Sequence, residues 1–342
     1  MRVALRMVLM LNSLLLAGCS LFEKPEPVVL SGIAFHSMTW TVKVSTLPEG
    51  KDAAAAHAEL QQLLDAANAA LSTYQDDTEL MRFNRSPAGQ WVKVSPMLFN
   101  AVREAQAVSV ATDGRYDVTV GPLVNLWGFG PDAVPVKTPD AAAIAAARAR
   151  VGYQKVMLDA SRPAMKHESG VQMDLSSVGE GVAVDALAAR LEAWGVRDYL
   201  VSVAGCSRAR GKRPDGRDWV LAIEKPDGSG NVQQVLKLGN RSLSTSGSYR
   251  NYREIEGVRY SHTVDPGTGQ PIRHKGVSVS VVSSEATRAD AWATALNVLG
   301  PDEGHALAEV RQIPAYFIYH SDKGPQVRHT TAFRPFLPTP RD

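Results

Sequence analysis

Cysteine is nearly missing from this chain: 342 residues hold two, Cys19 and Cys206. A disulfide framework is excluded, so the fold has to stand on its core. A surplus of one charge is missing too. The 37 basic and 35 acidic residues are interspersed and leave a formal net charge of +2, which gives no basis for a polyanion-binding face and argues against nucleic acid as a partner. No apolar run reaches the roughly 20 residues of a membrane-spanning helix. No repeat of the solenoid type is visible, and no interior shift in composition splits the chain. What the sequence does have is 44% apolar residues, enough to bury a large core within one domain.

The two ends differ from the interior. Arg2 and Arg6 precede a mostly apolar run, residues 8–16, and Leu16-Ala17-Gly18-Cys19 closes it with small residues. That is the pattern of a secretory signal. A cysteine directly after Leu-Ala-Gly resembles the bacterial lipoprotein processing box, which makes Cys19 the lipidated mature N-terminus. By the same sorting code Ser20, being no aspartate, points to a periplasmic protein anchored by lipid in the outer membrane. If Cys19 carries lipid, Cys206 has no partner. The expected organisation is a signal peptide over 1–18, a lipid-anchored tether over 19–30, one folded body over 31–330 and a proline-rich tail over 331–342, loose from Phe336 onward.

Inside the body, residues 39–44 alternate with Trp40, Val42 and Val44 on one face, as a half-buried strand should. Leu60, Leu63, Leu64, Ala67 and Leu71 recur at helical spacing, which predicts an amphipathic helix ending near Ser72. Ser95-Pro96 predicts a capped helix start with proline in the first turn. Thr138-Pro139-Asp140 predicts a second, alanine-rich one. Residues 171–175 read as a strand that runs through a small-residue turn into a helix carrying Val184, Leu187, Leu191 and Trp194. Residues 199–203, 219–223, 232–238 and 277–282 are further strands, and 290–299 a helix. Helices and strands are mixed without regular alternation, so the expected class is α+β, with mixed and largely antiparallel sheets and packed helices.

Five clusters carry the candidate chemistry. The first, residues 72–84, offers Tyr74 for stacking on a flat ring, or else is a turn with a solvated acidic edge. In the second, residues 113–130, glycines permit close backbone approach while Tyr116, Trp127 and Phe129 supply apolar walls; a core hairpin with buried aromatics would read the same way. The third, residues 174–185, brings the chain to a helix N-terminus, where free N–H groups suit phosphate. Glu180 and Asp185 would repel a bare phosphate there unless a cation or hydroxyl-bearing group intervenes. The fourth holds His262 just before Asp265-Pro266-Gly267, a candidate general base or a structural histidine. In the fifth, Asp290 and Thr294 lie one helical turn apart and face the same way. Two hard oxygens suit Mg²⁺, although a helix-dipole Asp and a back-bonded Thr would look the same.

These clusters, in this order and spacing, resemble the FAD:protein FMN transferases, the ApbE family, over about residues 32–319. The blocks that carry the resemblance are Ser72-Thr73-Tyr74 followed by Arg82-Phe83-Asn84, the stretch from Asp113-Gly114 through Tyr116-Asp117-Val118-Thr119-Val120-Gly121-Pro122, Asp174-Leu175-Ser176-Ser177 with Gly179-Glu180-Gly181, Thr245-Ser246-Gly247, His262 with Asp265-Pro266, and Ala289-Asp290-Ala291. The resemblance implies a single α+β body around one flavin cleft. It implies that Tyr74 packs on the flavin, that Arg115, Tyr116 and Asp117 line the FAD cleft, that Asp174 and Glu180 hold polar parts of FAD, and that Val264 touches it beside the catalytic His262. It further implies Mg²⁺ held by the side chains of Asp290 and Thr294 and the carbonyl of Ser177. FAD would be the substrate, and the acceptor a threonine on a flavoprotein subunit of a membrane electron-transfer complex.

Three departures fall where the family is usually glycine-rich or acidic. Residues 35–39, Phe-His-Ser-Met-Thr, replace a Met-Gly-Thr stretch, so Met38 would contact FAD only after a register shift. Ala204-Gly205-Cys206 replaces Gly-Gly-Glu or Gly-Gly-Asp, adding a methyl where the backbone approaches the ligand and removing a carboxylate. Ser248 also stands in place of an acid. An FAD-binding lipoprotein that carries flavin without turnover, and an FAD pyrophosphatase in which water replaces threonine, are the competing readings.

Overall fold

The computed structural model describes residues 26–131, 135–248 and 252–338. Its frame is an eight-stranded sheet whose spatial order follows the chain: β1 (Val28–Ala34), β2 (Met38–Val44), β3 (Tyr199–Val203), β4 (Cys206–Arg210), β5 (Ser242–Gly247), β6 (Gly276–Ser283), β7 (Ala315–Ser321) and β8 (Gly324–His329). Every neighbouring pair is antiparallel. The strands alternate sides as their pleat requires. Val279, Val281 and Phe317 join one core, while Val282, Tyr316 and Ile318 join another on the opposite face.

Four longer helices build the first side: α1 (Ala53–Leu71), α2 (Pro96–Ala111), α3 (Gly179–Ala193) and α4 (Ala286–Val310). Their starts follow the local signals. Asp52 accepts the Ala55 N–H to cap α1, and Ser95 accepts the Leu98 N–H before Pro96 in the first turn of α2. Asp140 caps the short helix Ala141–Arg148 in the same manner. Helix α4 breaks at Gly300, φ 80°. Pro301 has no N–H to give the Asn297 carbonyl, and His274 Nε2 donates to that carbonyl instead at 2.7 Å. Across the sheet, a hairpin of Val220–Glu224 and Val232–Lys237 covers the second core.

Three boundaries need correction. The tether expected over 19–30 ends earlier, because β1 begins at Val28 and Leu30 is already buried in the core. The first part of the expected tail is packed: Thr331–Phe336 forms a 3₁₀ turn, and the Phe333 ring is fully buried beside Tyr316 and Phe336, while residues 339–342 lie outside the described residues. Proline content misled there, since a 3₁₀ turn tolerates Pro335 and the aromatics supply the burial. The strand expected over 171–175 is reduced to one bridge between Val120 and Gln172. Its polar groups go elsewhere: the Asn84 amide both donates to the Met173 carbonyl and accepts its N–H, each at 2.9 Å. The signal peptide and Cys19 lie outside the described residues.

Candidate active site

The site forms where the N-termini of α3 and α4 meet β5. Gly181 allows the contact, because a Cβ at that position would come within 2.6 Å of the Ala286 carbonyl. Asp185 on α3 fixes the start of α4, accepting the N–H groups of Ala286 and Thr287 at 2.9 Å each and the Thr287 hydroxyl at 2.8 Å. Asp290, one turn on, is buried and accepts the Gly181 N–H at 2.9 Å and the Ser244 hydroxyl at 2.8 Å. Two residues along β5 and on the same face, Ser246 hydrogen-bonds Thr294 at 2.9 Å. Asp290 and Thr294 therefore present their oxygens together toward β5, as their spacing predicted.

Glu180 faces this pair. Its carboxylate accepts the Gly205 N–H at 2.8 Å, and burial pushes its carboxyl up to about 7. Burial, then the nearby Glu180, pushes Asp290 well above the ordinary carboxylate range. A buried Asp290 whose charge is further disfavoured by a neighbouring acid is an arrangement that a cation would relieve. Among the described residues no group of three or more His, Cys, Asp or Glu side chains converges on one point. The oxygens brought together are the Asp290 and Glu180 carboxylates and the Ser244, Ser246 and Thr294 hydroxyls, hard donors of a kind that fits Mg²⁺. Ser177 is adjacent: its hydroxyl hydrogen-bonds Tyr116 at 2.9 Å, and the buried Tyr116 phenol is pushed up by burial and by the Asp290 and Asp174 carboxylates.

A second group of residues gathers around Phe129 and the His262 loop. Tyr74 is 57% exposed and donates to the Phe129 carbonyl at 2.9 Å, which holds its ring out at the rim. Phe129 in turn meets His262 edge-on, with ring centroids 6.5 Å apart. The loop of His262 is tied to α4 through Thr263, whose hydroxyl accepts from Asn297 at 3.4 Å. Arg115 lies between Asp265 at 3.4 Å and Glu303 at 3.2 Å. Asp174 turns its carboxylate onto the Ser176 N–H at 2.8 Å, and partial burial, then the nearby Asp174 charge, raises the Tyr74 phenol.

Not every expected contact is available. Asp117 is buried, and its oxygens accept from the Thr119 N–H and hydroxyl and from the Tyr153 N–H at 2.6 to 2.8 Å. It anchors the loop that carries Tyr116 and Arg115 and does not face the cleft. The Val264 side chain is likewise buried in a small core with Leu123, Trp127 and Tyr260. No sequence signal marks Ser244 or the capping role of Asp185, whose partners lie about a hundred residues away in the chain.

The departures resolve locally. Met38 opens β2 opposite Ala34, after a turn in which Phe35 and His36 take positive φ. The Ala204 N–H donates to the Thr39 carbonyl, which ties the start of β2 to the turn at Ala204-Gly205. Ala204 adopts φ 44° with its methyl exposed, and the Gly205 N–H still reaches Glu180. The Cys206 side chain is buried and points toward the Ala286 carbonyl; burial and the surrounding Asp290, Glu180 and Asp185 push its thiol far up. A carboxylate in its place would join three acids, and the neutral thiol is inert.

Comparison with known proteins agrees with this geometry. The model of the ApbE family matches residues 37–317. The FAD:protein FMN transferase of Klebsiella pneumoniae is 42% identical over 331 residues, covering 94% of each chain. Among solved structures, the flavin transferase ApbE from Vibrio cholerae superposes with a TM-score of 0.84 at 38% identity, covering 91% of this chain and 99% of that one. The apo flavinyl transferase ApbE of Pseudomonas stutzeri gives the same TM-score and identity over 92% and 98%. On a family match that spans most of its length, supported by these relatives, the chain belongs to the ApbE family.

Proposed function

We propose that this protein is an FAD:protein FMN transferase: it moves the FMN half of FAD onto a threonine hydroxyl of a partner protein and releases AMP. The observation that carries the reading is that Asp290 and Thr294 face β5 together beside Glu180, while Tyr74, Phe129 and His262 form a second cluster that Asp174 approaches. Tyr74 and Met38 receive the flavin ring, while Tyr116, Asp174 and Glu180 hold its polar parts. His262 takes the proton of the attacking threonine hydroxyl. The threonine oxygen forms a bond to the FMN phosphorus, and the bond to the AMP phosphate breaks with the electron pair leaving on AMP. Arg115, held by Asp265 and Glu303, fixes the wall beside the histidine loop.

Asp290 and Thr294 through their side chains, and Ser177 through its carbonyl, would hold Mg²⁺, which when bound neutralises charge on the pyrophosphate. The residues of this chain provide the rest: Ser244 and the Gly181 N–H hold the Asp290 carboxylate toward β5, and Asp185 keeps the helix start rigid.

The lipobox at Cys19 supports a periplasmic protein anchored by lipid in the outer membrane, with its body reaching flavoprotein subunits of membrane electron-transfer complexes. Among the described residues no helix is long and apolar enough to cross a membrane. Incubation with FAD, Mg²⁺ and an acceptor domain, followed by peptide mass mapping, tests the reading. FMN on a threonine supports it; an unmodified acceptor with FAD merely bound would select a carrier, and free FMN with AMP a pyrophosphatase.

A further inference from the structure

The ribbon of Tyr252–Ile255 and Val258–Ser261 leads directly into His262. Arg253 stands opposite Tyr260 in its register, so the two share a face, and Tyr260 is buried with its ring 5.1 Å from Trp127. That face is therefore the inward one. The Arg253 guanidinium lies 5.6 Å from the centroid of the Phe129 ring, the same ring that meets His262. Its charge reaches the Tyr74 phenol, which it draws down against the effect of Asp174. Yet among the described residues the buried Nε–H of Arg253 has no acceptor. A buried Nε–H left without a partner among the described residues, on the inner face of a ribbon that ends at the proposed base, suits an acceptor brought by a ligand.

We propose that Arg253 is a binding residue for the FAD pyrophosphate, donating from its guanidinium to a phosphate oxygen while Phe129 supports its plane. The proposal rests on the transferase reading, which puts the FAD pyrophosphate near His262. Arginine is well suited to this role, since its planar fork pairs with phosphate oxygens while one face stacks on an aromatic ring.

The test uses the full chain and its Arg253→Gln and Arg253→Lys variants, with binding followed by flavin fluorescence for FAD and for riboflavin, which has the ring and no phosphate. Arg253→Gln is expected to weaken FAD by about 10- to 100-fold, the range for a lost charge-assisted hydrogen bond, with a shallower salt dependence and unchanged riboflavin affinity. Arg253→Lys should recover part of the loss. Equal weakening of both ligands would make Arg253 a support for Phe129 and overturn the proposal. Unchanged FAD affinity with slower transfer would assign it to the acceptor protein and overturn it equally. If the wild-type chain fails to bind FAD at all, the transferase reading itself fails, an outcome that none of the variant comparisons can produce.

Discussion

Raising the pH of the metal-free protein should cost it stability in a defined window. Burial lifts the Glu180 carboxyl from its ordinary 4.5 to about 7, so folding favours its protonated form. A carboxyl raised in this way stabilises the fold fully below the unfolded value, and that contribution is lost as pH climbs through the folded value. At about 1.4 kcal/mol for each tenfold change in proton affinity, the loss between about pH 4.5 and pH 7 is about 3 kcal/mol. Asp290, raised in the same direction, adds to it. Melting followed by calorimetry without metal should show a fall on the order of 5 °C from about pH 5 to pH 8. Millimolar Mg²⁺ should restore part of the fall at the upper end, since a cation on Asp290 would favour the charged forms of Asp290 and of the nearby Glu180. Glu180→Gln keeps an acceptor for the Gly205 N–H, so it should melt above wild type near pH 8, with much of the slope removed. A flat wild-type profile, or an unaltered slope in Glu180→Gln, would refute the reasoning.

Two further substitutions probe the frame. Ala204→Gly should stabilise the chain by about 0.5 to 1 kcal/mol in urea unfolding, because φ 44° strains an alanine whose exposed methyl contributes little packing; a loss of stability would show that the methyl makes a contact the turn needs. Phe333→Ala should cost about 3 to 5 kcal/mol, as expected for a fully buried ring, and an effect under about 1 kcal/mol would return the C-terminal segment to the status of a loose tail.

The parts of this molecule that were legible in its sequence are those whose signals are local. Ser95-Pro96 and Asp140 announce helix starts because the cap and the N–H it satisfies lie three residues apart. Asp290 and Thr294 could be paired from spacing alone, because one helical turn fixes their common direction. What remained hidden depends on partners far along the chain. Asp185 reads as an acid in a phosphate-like turn, and only the fold shows it capping α4. Asp117 and Val264 fall within ligand-like blocks, yet one is consumed by Thr119 and Tyr153 and the other by a small aromatic core. Residues 171–175 have strand-like composition, but Asn84 supplies in side-chain form the hydrogen bonds a neighbouring strand would have given.

The central claim, FMN transfer from a site built on Asp290 and His262, is tested most directly by counting AMP released against FMN fixed to an acceptor domain, with Mg²⁺ present, in wild type, Asp290→Ala and His262→Asn. Wild type should release one AMP for each FMN attached, Asp290→Ala should lose both products, and His262→Asn should run slower by about 10²- to 10⁴-fold with FAD still bound. AMP released without labelled acceptor, or full transfer by Asp290→Ala, would contradict the claim.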